Sequence, residues 1–274
     1  MKNFFVLLFP LLTLCTTAYT QTQHYMGDES MMYAETKQVN QFIRRFNHEE
    51  DPSGKKYAPS SKEYRNNAER KKYLKALFDR RNNLISNRTK ERFMESVLDS
   101  NNPQFIETHE DEWFAEVVAD FIWKGSPVKI NLFLELEEDN GGYKWVLSNL
   151  YFSPFVRAME NAPEKKFMHP MSHELDFMNL IKALNDKDNL PDYAQKEFKA
   201  DYLTLFFYEI QNNNLKFDNI SEVKFHFFQI EGWYFEITEF NRNDYNSGWL
   251  ISNLTDLSDA NKDVMLRYIL KQAY

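Results

Sequence analysis

Two histidines, His169 and His173, stand four residues apart and are followed by Glu174. On one helix, imidazoles at i and i+4 can share a metal ion. Pro170 lies between them, however, which puts His169 ahead of any helix, and the order is not the His-Glu-x-x-His of zinc hydrolases. They are metal candidates by spacing alone, and no metal or other cofactor is expected. His109-Glu110-Asp111-Glu112 fails the same order and reads as an acidic loop before a strand. A carboxylate and an imidazole, Asp120 and His226, fall mid-strand at matching places in the two halves of the chain. Facing a pocket, such a pair would suit general acid–base work. Parity argues against it. Val117, Ala119, Phe121 and Trp123 make the apolar face of one strand, and Val223, Phe225 and Phe227 that of the other. Asp120 and His226 share the opposite face with Glu116, Val118, Glu222 and Lys224, which reads as solvent or as a contact between domains or copies. No catalytic residue is therefore expected, with Asp120 and His226 as the candidates to check. Trp145, Trp249, Trp233 and Tyr143 are the ligand candidates, because aromatics lining a concave sheet hold apolar, sugar or peptide groups. The same rings would serve equally to build two small cores.

Composition removes several classes of function. Only 7 glycines occur in 274 residues, and no Gly-x-Gly-x-x-Gly or Walker run exists, so nucleotide chemistry is a poor fit. No Gly-x-Ser-x-Gly elbow supports acyl transfer. The formal charge is −8, and an acidic body repels phosphate backbones, so nucleic acid is not an expected partner. The most basic stretch, Arg65 to Arg92, is interrupted by Glu69, Asp79 and Glu91 and reads as a solvated helix face.

The positioning elements follow from periodicity. Val39, Phe42, Ile43 and Phe46 mark a helix, Tyr73, Leu74, Leu77 and Phe78 a second, and Phe93, Met94, Val97 and Leu98 a third element. From Trp113 the period becomes two. Strands are expected over 115–124, 128–137 and 143–152, the last two joined by the turn Asp139-Asn140-Gly141-Gly142. A linker with Pro154, Pro163 and Pro170 follows. Helices over 175–184 and 202–210 then precede strands over 222–229, 233–240 and 248–254, and a closing helix over 258–274.

The order of elements thus occurs twice, and so do letters. Trp145-Val-Leu-Ser-Asn-Leu150 matches Trp249-Leu-Ile-Ser-Asn-Leu254 at an offset of 104, and Ala115-Glu116-Val117 matches Ser221-Glu222-Val223 at 106. A fixed offset of 104 would set Ile130, Leu132 and Leu134 against residues of the wrong face. Pairing them with Trp233, Phe235 and Ile237 restores the pattern, so the hairpins differ by one residue or a copy carries a bulge. The expected domains are 36–157 and 172–274, joined by a linker over 158–171.

The N-terminus reads as an export signal. Lys2 precedes the apolar run Phe4 to Leu14, too short for a bilayer but suited to a signal peptide over 1–20, cut after Thr20 or Ala18, with a polar leader over 21–35. The rival reading attaches a lipid at Cys15, but Leu14 stands where a small residue is expected. Removing the signal takes away Lys2 alone, leaving 32 basic against 41 acidic residues, or −9. No other apolar run is long enough to cross a membrane.

Helices followed by an antiparallel meander, the Trp-x-x-Ser-Asn-Leu repeat and the Gly-Trp-aromatic stretch at Gly232-Trp233-Tyr234 resemble the cystatin-like cone of nuclear-transport-factor-2-like domains. The tandem form resembles exported two-domain bacterial members of that superfamily, many of unknown function. The resemblance implies an α+β fold of two tandem cone-like domains, each with N-terminal helices packed on a curved antiparallel sheet, and it brings no catalytic motif. The expectation is an exported, non-catalytic binding or protein-interaction module of the cell envelope, with a small ligand or protein as partner and a pseudo-dimer within the chain. The alternatives are an isomerase- or hydrolase-type enzyme with a pocket in one cone, or a subunit of an envelope secretion or surface assembly.

Overall fold

Phe42, Ile43 and Phe46 form the buried stripe of α1 (Val39–Asn47), as their spacing requires. Two more helices are started by side-chain caps. Asn66 accepts the amides of Ala68 and Glu69 to open α2 (Asn67–Ala76), and Ser86 accepts that of Thr89 to open α3 (Asn87–Val97). The computed structural model describes residues 38–159 and 180–272. The expected signal, Cys15, His169 and His173 lie outside the described residues. No helix among the described residues is long and apolar enough to cross a membrane.

Alternation produces two meanders: β1 (Trp113–Trp123), β2 (Ser126–Asp139) and β3 (Gly142–Tyr151), then β4 (Leu215–Phe227), β5 (Trp233–Phe240) and β6 (Gly248–Asp256). Asn140 and Gly141 both take positive φ in the β2–β3 turn, the conformation that a two-residue hairpin demands. A helix, α4 (Ser153–Met159), ends the expected first domain and runs into the expected linker, and the described part of the helix expected over 175–184 is α5 (Leu180–Asn185). Before β4 stands α6 (Tyr202–Gln211), and α7 (Asp259–Ile269) closes the chain.

The fold is α+β, with all six strands in one antiparallel sheet of order β3-β2-β1-β4-β5-β6. The expectation of two sheets, one per half, gives way to this single sheet because β1 pairs with β4 along its whole length, from Trp113 opposite Phe227 to Trp123 opposite Leu215. Val117 lies opposite Val223, and these residues correspond at the offset of 106. The matching hexapeptides also do the same job. Ser148 is the extra residue where β3 passes Phe133 and Leu134, and Ser252 the extra residue where β6 passes Glu236 and Ile237. Each hydroxyl donates across the bulge to the facing carbonyl, Ser148 to Phe133 at 3.2 Å and Ser252 to Glu236 at 3.3 Å.

Helices cross to the other half's strands. On one face of the sheet, Phe42, Phe46 and Phe93 from α1 and α3 pack on Phe227, Trp233 and Phe235. At the far end of the same face, Phe206 of α6 meets Phe121 of β1, and Trp123 donates to Glu209 at 2.8 Å. α1 and α3 thus lie over strands of the second half, and α6 lies over strands of the first half beside Phe155 of α4. Polar ties reinforce the exchange. Asn246, in the β5–β6 loop, donates to the carbonyls of Ala76 and Phe78 and accepts the amide of Arg80. Arg242 pairs with the buried Asp79 at 2.7 Å. Asn246→Ala would leave these backbone groups without partners, and it is expected to cost about 1–3 kcal/mol in urea-induced unfolding.

The basic stretch from Arg65 to Arg92 is not wholly a solvated face. Arg70 is fully buried, donates to the carbonyls of Phe46 and Gln104, and lies over the Phe105 ring. Burial pushes its pKa down to about 10, which still leaves it charged at neutral pH.

Candidate functional site

Asp120 and His226 do lie on the same face of the sheet, but the structure does not bring them together. Asp120 faces Asn219 across the ladder and binds Lys129 Nζ at 2.7 Å, whereas His226 faces Phe114 at the other end of β1. That end of the face is covered by α7, from which Leu266, Ile269 and Leu270 pack against Phe114, Phe133 and Tyr234. His226 is consequently only 1% exposed, where the sequence reading placed it on a solvent or contact face.

Beneath α7 the imidazole meets two partners that the pairing of Asp120 with His226 overlooked. His226 Nε2 lies 3.1 Å from Glu116 Oε2, and Nδ1 lies 2.9 Å from the Tyr234 hydroxyl. A carboxylate only accepts, so Nε2 donates to it. Asn131 donates to the other oxygen of Glu116 at 2.5 Å, and Lys271 Nζ stands 4.0 Å from it. Burial alone would raise the Glu116 pKa. The hydrogen bonds from His226 and Asn131 outweigh it, and the carboxyl titrates below its ordinary value. Burial, together with the charges of Glu236 and Glu116, drives the Tyr234 phenol upward, so it remains protonated. Parity did carry part of this signal, since Glu116 and His226 share a strand face. Tyr234 did not stand out, because a tyrosine in an aromatic strand reads first as core.

A depressed carboxyl pKa fixes the sign of the acid response. The stability contributed by Glu116 is complete above its unfolded value, near 4.5, and is lost as pH falls through the lower folded value. Glu116→Gln is therefore expected to narrow the difference in urea midpoint between about pH 6 and about pH 3 relative to the parent chain. An unchanged difference would show that the carboxylate is not coupled to folding.

The aromatic candidates separate into two kinds. Trp233 and Trp249 are buried in the main core, Trp233 edge-on to Phe93 and Trp249 edge-on to Phe225. Trp145 and Tyr143 are exposed at the β2–β3 end of the sheet. Trp145 leans on Trp113, and Tyr143 stacks on His109 with ring centroids 4.0 Å apart.

The stacked pair supports the loop that leads to a cleft. Between the start of β1, the end of β2 and α7 lies a hollow of about 320 Å³. Trp113, Phe114, Leu136, Phe228 and Leu266 give it an apolar lining, and Glu110, Asp111, Glu112, Glu135 and Lys262 its polar groups. Gln229 fixes the loop by donating from its amide to the carbonyls of Glu107, Glu110 and Asp111. Glu112 sits in the left-handed region at φ 71°, its carbonyl accepting the Phe228 amide and its carboxylate meeting Lys262 Nζ at 2.5 Å. Glu116, His226 and Tyr234 are not among the residues that line this hollow. Comparison of the chain with family models, curated proteins and solved structures finds no match in any of the three.

Proposed function

We propose that the chain is a non-catalytic binding or protein-interaction module, exported to the bacterial cell envelope by its N-terminal signal. One observation carries the non-catalytic part. The best-built acid–base group among the described residues, Glu116–His226–Tyr234, has both imidazole nitrogens engaged and lies sealed under α7. A general base must reach the proton it abstracts, and this one is held by its own neighbours. Fully satisfied buried networks of this kind serve to fix a unique packing.

The two halves are, in this reading, copies of one cone-like unit whose first strands have joined, so the chain holds a pseudo-dimer in one sheet. The pairing of Val117 with Val223, the matching serine bulges and the mirrored strand order support it. Export rests on Lys2 and the run Phe4 to Leu14.

Native mass spectrometry of the protein released from its envelope fraction tests the function. The expected result is a retained small molecule or a stoichiometric partner whose mass does not change on incubation. Conversion of the retained molecule to a product, abolished in His226→Gln, would overturn the reading in favour of an enzyme.

A further inference from the structure

We infer that the outer edge of β3 takes up an extended segment of a partner polypeptide as an added parallel strand, basic where it enters and apolar where it passes Leu147. This rests on the protein-interaction reading and names the surface of that module and the class of its partner.

The matching strand shows what such an edge holds. β6 forms the opposite rim of the sheet, and its outer side is covered by the stretch that leaves α2. Phe78 bridges to Ile251 in the parallel sense. The Ile251 amide donates to the Leu77 carbonyl at 2.8 Å, and the Asp79 amide donates to the Ile251 carbonyl at 3.1 Å. Asn82 adds a bond to the Ser252 carbonyl. Ile251 thus turns both backbone groups away from β5, as a residue of a non-hydrogen-bonded pair does in an antiparallel ladder.

Leu147 stands at the same place in β3. It lies opposite Leu134 just before the Ser148 bulge, as Ile251 lies opposite Ile237 just before the Ser252 bulge. Its N–H and C=O accordingly point away from β2. Among the described residues, no strand or bridge meets them. The side chains carry the same contrast. Trp249 and Ile251 are 7% and 0% exposed, whereas Trp145 is 41% exposed and Leu147 half-buried. Unpaired backbone groups beside uncovered apolar side chains are a template for a further strand.

Charge selects the occupant. A strand parallel to β3 begins beside the β2–β3 turn, where Glu135, Glu137, Glu138 and Asp139 of β2 stand against Lys144 of β3. Lys144 is already held by Glu137 and Asp139, so the surplus is negative. The field there favours basic residues ahead of the apolar ones and disfavours acidic ones. The bulky residue then bridges Leu147, and the residue two positions before it covers Trp145, since alternate residues of a strand share a face. The stretch on β6 has this order in its own sequence, with Lys71, Lys72 and Lys75 ahead of Ala76 and Phe78.

A synthetic peptide with the sequence of residues 71–80 is the probe. Added to the intact mature protein, it is expected to bind saturably at one site, to shield Trp145 from acrylamide quenching and to slow hydrogen exchange at the Leu147 amide. Trp145→Phe should remove the change in quenching. Methylating the peptide nitrogen of Asp79 takes away the donor to the Leu147 carbonyl and should weaken binding about tenfold. Leu147→Pro, which removes an outward N–H from an edge strand, should weaken it as much while circular dichroism stays that of the parent. The methylated peptide leaves the protein untouched, so it decides the matter even where Leu147→Pro does not fold. No saturable binding, binding without protection of Leu147, equal affinity of the methylated peptide, or preference for a peptide with its three lysines changed to glutamate would each overturn the inference. Self-association of the protein that Leu147→Pro reverses would also overturn it, by giving the edge to a second copy. A retained small molecule seen by native mass spectrometry alongside failure of the peptide would leave the binding-module reading standing and place its site elsewhere.

Discussion

Phe235→Ala is expected to lower the free energy of unfolding by about 3–5 kcal/mol. Phe235 is wholly buried and stacks on Phe46 and Phe227 while meeting Phe42 and Phe93 at tilted angles. Its ring is where helices from the first half of the chain grip a strand from the second. Removing it leaves a cavity walled by stiff aromatic rings, which relax poorly into the space. Urea unfolding followed by tryptophan fluorescence measures the loss. A cost below about 1 kcal/mol would mean that α1 and α3 do not rest on β5 in solution.

Glu50→Ala is expected to cost a similar amount for a different reason. The Glu50 carboxylate is fully buried, accepting from Arg44 Nε at 2.6 Å and from Arg45 Nε at 3.1 Å. Arg45 is itself 4% exposed at its side chain, so deletion of the acid removes a buried carboxylate to which both arginines donate. Breaking one side of a buried pair typically costs about 3–5 kcal/mol. The double variant Glu50→Met, Arg45→Met removes the two fully or nearly buried charges, leaves the part-exposed Arg44 to solvent, and should recover most of the loss, since an apolar replacement of a buried pair is often near neutral. If the double variant were as unstable as Glu50→Ala, the cost would come from shape and not from charge.

Much of the layout was legible from periodicity alone. The stripe Phe42, Ile43 and Phe46, the turn at Asn140-Gly141, and β5 over Trp233–Phe240 follow directly from spacing and turn chemistry. The one-residue slip between hairpins is also real, because the Ser148 and Ser252 bulges align Leu132 and Leu134 with Phe235 and Ile237. What periodicity cannot express is which strand a first strand chooses as its second neighbour. The join of β1 to β4 depends on contacts between residues about a hundred positions apart, from Trp123 with Leu215 to Trp113 with Phe227, and alternation reads the same in one sheet or in two. The early start of β4 was hidden for a local reason. Leu215 to Ser221 follows an asparagine-rich turn, and its pairing to β1 is broken by irregularities near Ala119 and Phe121, which scramble the alternation. The site was half legible: strand parity places Glu116 with His226, but the helix that seals them comes from the last residues of the chain. The cleft combines a loop, two strand ends and that helix, and no short stretch of sequence contains it.

The join at Val117 and Val223 has a consequence for how the molecule comes into being. Its inner strand pair brings together residues about a hundred positions apart, and α1 and α3 have no strands to cover until the second half is present. Non-local architecture of this kind slows folding, since the chain must close a long loop before any contact rewards it. A nascent chain that has reached only Tyr151 holds three strands with an unpaired inner edge and aromatic helices with nowhere to settle.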